Sequence, residues 1–162
     1  MKNIRLGDVL IEFGYITPEQ LNAALAYQKE HRDKRVGQIL IELGFVTESQ
    51  VLEALAQRLG LDIVAIGSLT PDLTATALIP RELAERQNLL AVGFEGEQLV
   101  VVTNDPLNYF ALEEVRQLTG KETLVRLSEL APLQKAIAYY YAEVGAREAA
   151  NKANLGAANA EA

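Results

Sequence analysis

An internal repeat near the N-terminus of this chain limits the folds that it can adopt. At an offset of 30 residues, positions 5–28 align with positions 35–58, and eleven of the 24 aligned pairs are identical. Chance does not produce such agreement, so the two segments are copies of one structural unit. The 162-residue chain must therefore accommodate two similar substructures before any other element is considered.

Each copy predicts a short helix, a turn and a longer helix. Apolar residues recur at helical spacing, and a glycine then suits the left-handed residue that commonly follows a helix. A threonine with a glutamine three residues later is the capping box that opens a second helix. The residues that carry this pattern are Leu6, Val9, Leu10, Phe13, Gly14, Thr17 and Gln20 in the first copy, and Val36, Ile39, Leu40, Leu43, Gly44, Thr47 and Gln50 in the second. Two such hairpins are expected to pack as a four-helix unit.

Apolar patterning leaves two positions in each copy unexplained. Arg5 and Arg35 precede the short helices, where the helix dipole disfavours a positive charge, and each is followed two residues later by a glycine. One explanation is a ligand, because helix N–H groups attract phosphate, a guanidinium binds guanine O6 and N7, and glycine permits close approach. The alternative is that the arginines are solvated and that Gly7 and Gly37 relieve crowding between the hairpins. The residues alone leave both explanations open.

Composition limits the ligands and partners that such a chain could have. The net charge is −7 and no basic stripe is present, so polymeric nucleic acid is not an expected partner, whereas a few arginines can hold a small anion. The absence of cysteine and the presence of one histidine argue against metal or thiolate chemistry. That histidine, His31, lies in a polar connector and is expected to be solvated. No apolar run is long enough to span a membrane, so we expect a cytoplasmic protein without direct membrane insertion.

No pattern in the sequence predicts catalysis, and we expect neither an enzyme nor a catalytic residue. The segment Gly120–Thr123 lacks the spacing of a nucleotide phosphate loop and is better explained as the end of a helix before a strand. Glu95 and Glu97 fit a solvated hairpin turn better than acid–base chemistry. Glu113 and Glu114 are adjacent, so on a helix they point in different directions.

The first copy resembles the cyclic-di-GMP motif of MshEN domains, which occur at the N-terminus of type IV pilus extension and type II secretion ATPases. The motif begins with Arg-Leu-Gly, continues through aliphatic pairs and a second glycine, and ends with two leucines and a glutamine. The matching residues are Arg5, Leu6, Gly7, Leu10, Ile11, Gly14, Ile16, Leu21, Leu25 and Gln28. Tyr15 departs from the motif at a position where an aliphatic residue is usual.

The second copy carries the same motif with several replacements. Its corresponding residues are Arg35, Val36, Gly37, Leu40, Ile41, Gly44, Val46, Val51, Leu55 and Arg58. Val36 and Val51 replace leucine, Arg58 replaces the final glutamine, and Phe45 takes the aliphatic position. The resemblance implies that the tandem motifs bind one cyclic-di-GMP without a cofactor, with the arginines on the guanines and the apolar residues packed beneath the nucleotide.

The resemblance also implies a biological role and a partner. It indicates a regulatory sensor domain for secretion, pilus or related bacterial machinery, with a protein partner in that assembly. The alternative is a protein-docking adaptor domain of such an ATPase with weak or no nucleotide binding. The Arg-x-Gly pair retained in both copies favours ligand binding, because a docking module has no need of it.

The remainder of the chain predicts a small α+β subdomain beside the helical one, and the resemblance to MshEN domains extends over residues 62–141. Two valine-rich runs separated by Glu95–Glu97 predict a β-hairpin, and Asn104–Leu107 predicts a turn. Further helices are expected at 81–87, 111–118 and 132–141, and a third strand at 124–127. The expected organisation is a helical tandem-motif subdomain at 1–60, an α+β subdomain at 61–144, and a flexible tail or linker at 145–162 that is rich in alanine and asparagine.

Overall fold

A computed structural model describes residues 4–161 of the chain, with side chains as far as residue 153. The chain divides into two compact units. The helical unit contains the residues up to Ile63 together with Asp105–Leu107. The α+β unit contains Val64–Asn104 and the residues from Asn108 onward. The sequence placed the division after residue 60 and assigned no later segment to the first unit, because nothing local marks Asp105–Leu107 as its neighbour.

Four helices form the helical unit, in the arrangement that the repeat predicts. The first copy supplies α1 (Leu6–Glu12) and α2 (Pro18–Glu30), and the second supplies α3 (Val36–Glu42) and α4 (Glu48–Leu59). The main contacts run between copies, with α1 against α4 and α2 against α3. The buried side chains of this unit are Val9, Leu10, Ile16, Ala24, Ile39, Leu40, Val46, Val51, Leu52, Ala54 and Leu55. Because both copies contribute to this set, each needs the other in order to bury its apolar face.

Both long helices begin with the predicted capping box. The Thr17 hydroxyl accepts a hydrogen bond from the Gln20 backbone N–H at 3.2 Å, and the Gln20 side chain accepts one from the Thr17 N–H at 2.9 Å. Thr47 and Gln50 repeat the pair at 3.1 and 3.0 Å. These bonds satisfy N–H groups that a helix start otherwise leaves without a partner, so the repeat fixes where α2 and α4 begin.

Both short helices end in a Schellman motif, which explains the aromatic departures from the family pattern. Gly14 and Gly44 adopt the left-handed conformation, with φ of 77° and 76°. The Tyr15 N–H then donates to the Leu10 carbonyl at 2.9 Å, and the Phe45 N–H makes the equivalent bond in the second copy at 3.0 Å. The residue after such a glycine commonly makes an apolar contact with the last helical turn. Half-buried Tyr15 and Phe45 occupy that position, where an aromatic ring can supply the contact as an aliphatic side chain does.

The α+β unit combines a three-stranded sheet with helices and one 3-10 turn. Its elements in chain order are the 3-10 turn Ile66–Ser68, α5 (Leu73–Thr76), α6 (Arg81–Gln87), β1 (Leu89–Glu95), β2 (Gln98–Thr103), α7 (Tyr109–Thr119), β3 (Thr123–Leu127) and α8 (Leu130–Glu161). β1 and β2 form the predicted hairpin, with Leu89 opposite Thr103 and Glu95 opposite Gln98. β2 and β3 pair in parallel, which requires a crossover that α7 provides. The α+β class is confirmed.

The C-terminal segment differs from the expected tail. α8 begins two residues before Pro132 and continues through Glu161, whereas the sequence predicted a helix that ends near Tyr141 and a flexible segment from Gly145. Composition explains the continuous helix, because alanine has the highest helix propensity and a single glycine costs only about 1 kcal/mol. Residues 145–153 are exposed throughout, so helix propensity rather than core packing accounts for this part of α8.

The three consecutive tyrosines of α8 divide between the core and the surface. Tyr140 and Tyr141 are buried and Tyr139 is exposed. The Tyr141 hydroxyl donates to the Ile79 carbonyl at 2.8 Å, and burial raises the pKa of Tyr141. We expect Tyr141→Phe to lower the free energy of unfolding by about 0.5–1.5 kcal/mol, because it removes one buried hydrogen bond. Urea denaturation checks this, with Tyr139→Phe as the matched control that should leave stability unchanged.

Candidate functional site

The motif arginines Arg5 and Arg35 occupy equivalent places in the two copies. Each is the residue immediately before a short helix and has an extended backbone, and neither side chain forms a hydrogen bond to the start of its own helix. Both side chains are exposed. A guanidinium has only donors and cannot cap the N–H groups of a helix start, so both are available for other contacts.

The two arginines differ in what they contact. Within the part of the chain that the structure describes, the Arg5 side chain has no hydrogen bond or ion pair, whereas Arg35 pairs with a carboxylate oxygen of Asp105. The other Asp105 oxygen accepts from the Leu107 N–H at 3.1 Å. The sequence predicted the turn at Asn104–Leu107 but missed the contact with Arg35. One sequence signal could have drawn attention to Asp105, because this residue lies in a segment that resembles MshEN domains.

The motif glycines have a packing role. Gly7 and Gly37 are buried. A Cβ added to Gly7 would lie 2.6 Å from Leu21 Cδ1, and one added to Gly37 would lie 2.7 Å from Leu6 Cδ2. Ordinary non-bonded carbon contacts are near 3.5–4.0 Å, so the absent side chains let the helices approach closely. The crowding lies within the first copy for Gly7 and between the two copies for Gly37.

The remaining motif residues separate by exposure into a core set and a surface set. The buried members are Leu10, Ile16, Leu40, Val46, Val51 and Leu55, and the half-buried members are Leu6, Ile11, Leu21, Gln28 and Val36. The exposed members besides the arginines at 5 and 35 are Gly14, Leu25, Ile41, Gly44 and Arg58. A ligand on this unit would therefore contact the exposed set directly, while the core set supports the surface from below.

Exposed apolar side chains make the two copies unequal. Leu25 on α2 is 40% exposed and Ile41 on α3 is 36% exposed, although their helices contact each other. Their counterparts are covered, since Leu55 is 2% exposed and Ile11 is half-buried. Apolar residues left exposed on two contacting helices suit a planar organic ligand. Gln28 lies on the first of these helices, and Arg35 immediately precedes the second.

The last residue of each motif makes a different contact. The Gln28 side-chain amide donates to the Lys34 carbonyl at 3.0 Å, immediately before Arg35. Arg58 instead places its Nε 3.8 Å from a carboxylate oxygen of Glu12. The replacement of glutamine by arginine therefore changes the partner from a backbone carbonyl to an acidic side chain.

An exposed ion pair ties the connector to α3. Lys34 Nζ lies 2.9 Å from a Glu42 carboxylate oxygen. The hydrogen bond with Glu42 raises the pKa of Lys34, and the same bond holds the pKa of Glu42 below its usual value. The pair is thus charged at neutral pH, and protonation of Glu42 at acid pH would release it. Exposed pairs of this kind add little to global stability, so the effect is local.

The connector also holds the histidine, which the sequence expected to be solvated. His31 is half-buried, and its ring stacks on Tyr27 with centroids 3.9 Å apart and an interplanar angle of 3°. His31 Nδ1 lies 3.0 Å from the Tyr27 carbonyl. The expectation was wrong because residues four apart on a helix lie on one face, which brings the two rings together at the end of α2.

Three of the four acidic residues considered for catalysis, Glu95, Glu113 and Glu114, form ion pairs with arginines. Glu113 pairs with Arg116 at 2.6 Å, and this contact lowers the pKa of Glu113. Glu95 pairs with Arg126 at 2.9 Å. Gly120 has a left-handed φ of 68° and ends α7, as expected for a helix stop.

No helix among the described residues combines the length and the apolar character that crossing a membrane requires.

Comparison with known proteins identifies relatives of both parts of the chain. The family model for the MshEN domain matches residues 59–147. The type IV pilus assembly ATPase PilB of Myxococcus xanthus (strain DK1622) is 29% identical over 141 residues, which is 87% of this chain and 25% of PilB. The chain thus spans about a quarter of the length of this curated relative.

Solved structures extend the similarity across both units. A structure of MshE with cdg, which denotes cyclic-di-GMP, has a TM-score of 0.75 and 33% identity, and covers 85% of this chain and 99% of that one. The N-terminal domain of XpsE shares the fold, with a TM-score of 0.71, 22% identity, and coverage of 85% of this chain and 97% of that one. The family model matches more than half of the chain and the MshE structure is 33% identical over nearly its whole length, so the chain belongs to the MshEN domain family.

Proposed function

We propose that this chain binds one cyclic-di-GMP through its two motifs. The proposal assigns Arg5 and Arg35 to the guanine bases, since a guanidinium forms a bidentate contact with guanine O6 and N7. Leu25 and Ile41 provide exposed apolar surface for the ligand, and the buried motif residues hold the four helices in place.

The observation that carries the proposal is the similarity to MshE, whose solved structure contains this nucleotide. That similarity covers 85% of the chain, so it extends well beyond the α+β unit and includes much of the tandem repeat. Two exposed arginines at equivalent positions of that repeat suit a ligand with two identical bases.

By this proposal the chain acts as a regulatory sensor domain and not as an enzyme. The similarity to a type IV pilus assembly ATPase supports a cytoplasmic location for this domain and a protein partner in a pilus or secretion machine. Binding of cyclic-di-GMP would be the input, and no chemical step on the nucleotide is required. Incubation with cyclic-di-GMP should therefore leave the nucleotide intact.

Isothermal titration calorimetry tests the proposal directly. We expect saturable one-to-one binding of cyclic-di-GMP, and much weaker binding of GTP and cyclic-di-AMP. Adenine presents an amino donor where guanine presents O6, so it repels the guanidinium that guanine attracts. Equal affinity for the guanine and adenine dinucleotides would contradict the assigned role of the arginines.

The second candidate function is protein docking without nucleotide binding. Phe110, at the start of α7 in the α+β unit, is 92% exposed, and such a ring is common at protein interfaces. The absence of binding at high cyclic-di-GMP concentration, with a folded protein, would favour docking over sensing.

A further inference from the structure

We propose that an exposed stripe of α7 binds a basic amphipathic helix of a protein partner. The α7 stripe consists of Phe110, Glu114, Gln117 and Leu118. This role goes beyond nucleotide sensing, because it gives a surface of the α+β unit a partner of defined chemistry. It holds whether or not the helical unit binds cyclic-di-GMP.

The α7 stripe presents two apolar side chains on one side of the helix. With 3.6 residues per turn, its four residues fall within an arc of about 100°. Phe110 is 92% exposed and Leu118 is 56% exposed, whereas Ala111 and Val115 of the same helix are buried in the core. A rise of 1.5 Å per residue separates the two exposed apolar residues by about 12 Å along the helix axis. The stripe therefore offers two apolar contacts with polar residues between them.

Two groups of ion pairs give the surroundings of the α7 stripe a negative charge. Each group has one guanidinium between two carboxylates, with nitrogen–oxygen distances from 2.6 to 3.6 Å. The groups are Glu82, Arg86 and Glu114, and Glu113, Arg116 and Glu122. Each group thus has one carboxylate more than it has guanidiniums. The Glu114 side chain, which is 44% exposed, places part of this excess negative charge between Phe110 and Leu118.

This charge determines which occupant fits the stripe. A partner helix repeats the same spacing of side chains, so it can align two apolar residues with Phe110 and Leu118 and place a lysine or arginine opposite Glu114. A second copy of this chain fits less well, because antiparallel pairing of two α7 helices would set Glu114 against its own counterpart, and like charges repel. The same carboxylates repel anionic lipid headgroups and nucleic acid phosphates. The occupant is therefore a basic amphipathic helix from a protein.

NMR titration of the full chain with two synthetic helical peptides tests this role. Each peptide carries two leucines spaced like Phe110 and Leu118, and the residue midway between them is lysine in one peptide and glutamate in the other. We expect the lysine peptide to shift the amide signals of α7, with an affinity that decreases as salt is added. The glutamate peptide should bind at least about tenfold more weakly, because it places like charges together at Glu114.

Variants of the stripe separate a docking role from a structural one. Phe110→Ala should weaken binding of the lysine peptide by at least about fivefold, as expected for an aromatic contact at the centre of an interface. Tyr139→Ala removes an exposed aromatic side chain from α8, so it is the matched control and should leave the affinity unchanged. Glu114→Lys should reverse the preference, so that the glutamate peptide binds more tightly than the lysine peptide. Partial unfolding cannot produce such a reversal.

Several results would overturn the assignment of this partner. They are α7 signals that do not move with the lysine peptide, equal affinity for the two peptides, and a Glu114→Lys variant that keeps the original preference. Dimerisation of the chain that Phe110→Ala abolishes, measured by sedimentation, would identify a second copy as the occupant and would also overturn it. The titrations contain no nucleotide, so failure of the chain to bind cyclic-di-GMP would overturn the proposed function alone.

Discussion

Replacement of both Arg5 and Arg35 by alanine is expected to weaken cyclic-di-GMP binding by about 2–6 kcal/mol, which is at least about 30-fold. Each arginine should account for about 1–3 kcal/mol, the value of one good bidentate contact with a base. Calorimetric titration of the two single variants and the double variant measures these losses. Thermal unfolding should change little, because both side chains are exposed.

Arg32→Ala is the matched control for this series. Arg32 is an exposed arginine in the connector between the copies, so its removal changes the net charge equally without touching either motif. Its affinity should remain within about twofold of the unmodified chain, since a single exposed charge contributes little at physiological salt. Unchanged affinity in both Arg5→Ala and Arg35→Ala would contradict the assigned roles, and equal losses in all three would indicate non-specific attraction.

Leu40→Ala is expected to lower the free energy of unfolding of the helical unit by about 2–5 kcal/mol, the usual cost of a leucine-sized core cavity. Leu40 is a motif residue with 0% exposure, and it lies on α3 where the two copies share their core. Urea denaturation followed by circular dichroism and by NMR signals of α1 to α4 measures the loss in this unit separately from the α+β unit.

Ile41, the motif residue next to Leu40, is expected to affect nucleotide binding more than stability. Ile41→Ala should cost under about 1 kcal/mol of stability, because its side chain is partly exposed and leaves no closed cavity. It should instead weaken nucleotide binding, since it removes apolar surface available to the ligand. A Leu40→Ala variant as stable as the Ile41→Ala variant would show that the division of the motif into core and surface sets is wrong.

The local structure of the helical unit could be predicted because its determinants lie within a few residues of one another. A capping box joins Thr17 to Gln20, and a Schellman motif joins Gly14 to its own helix. The same short-range rules identified the β1–β2 hairpin and the end of α7 at Gly120. They do not account for the segment after Gly145, where the structure has a helix in place of the expected flexible tail because alanine has a high helix propensity.

The sequence predicted which residues form the candidate site, but not how they are arranged. Sequence spacing identified Arg5 and Arg35, yet it treated the two copies as equivalent. The folded chain makes them unequal, because Leu25 is exposed while its counterpart Leu55 is buried, and because Arg35 forms an ion pair with Asp105. Equal sequence motifs acquire different surroundings once each packs against a different neighbour.

Local hydrogen bonding and the ordered pattern of residue types are enough to specify the duplicated hairpin, the starts of its long helices and the resemblance to the family. Only the folded chain shows which motif residues are buried, what Gly7 and Gly37 pack against, and which partners Arg35 and Gln28 contact. Those properties depend on contacts between the two copies and on Asp105, about 70 residues beyond Arg35. Such contacts arise only when the whole apolar surface is buried together, and no local pattern specifies them.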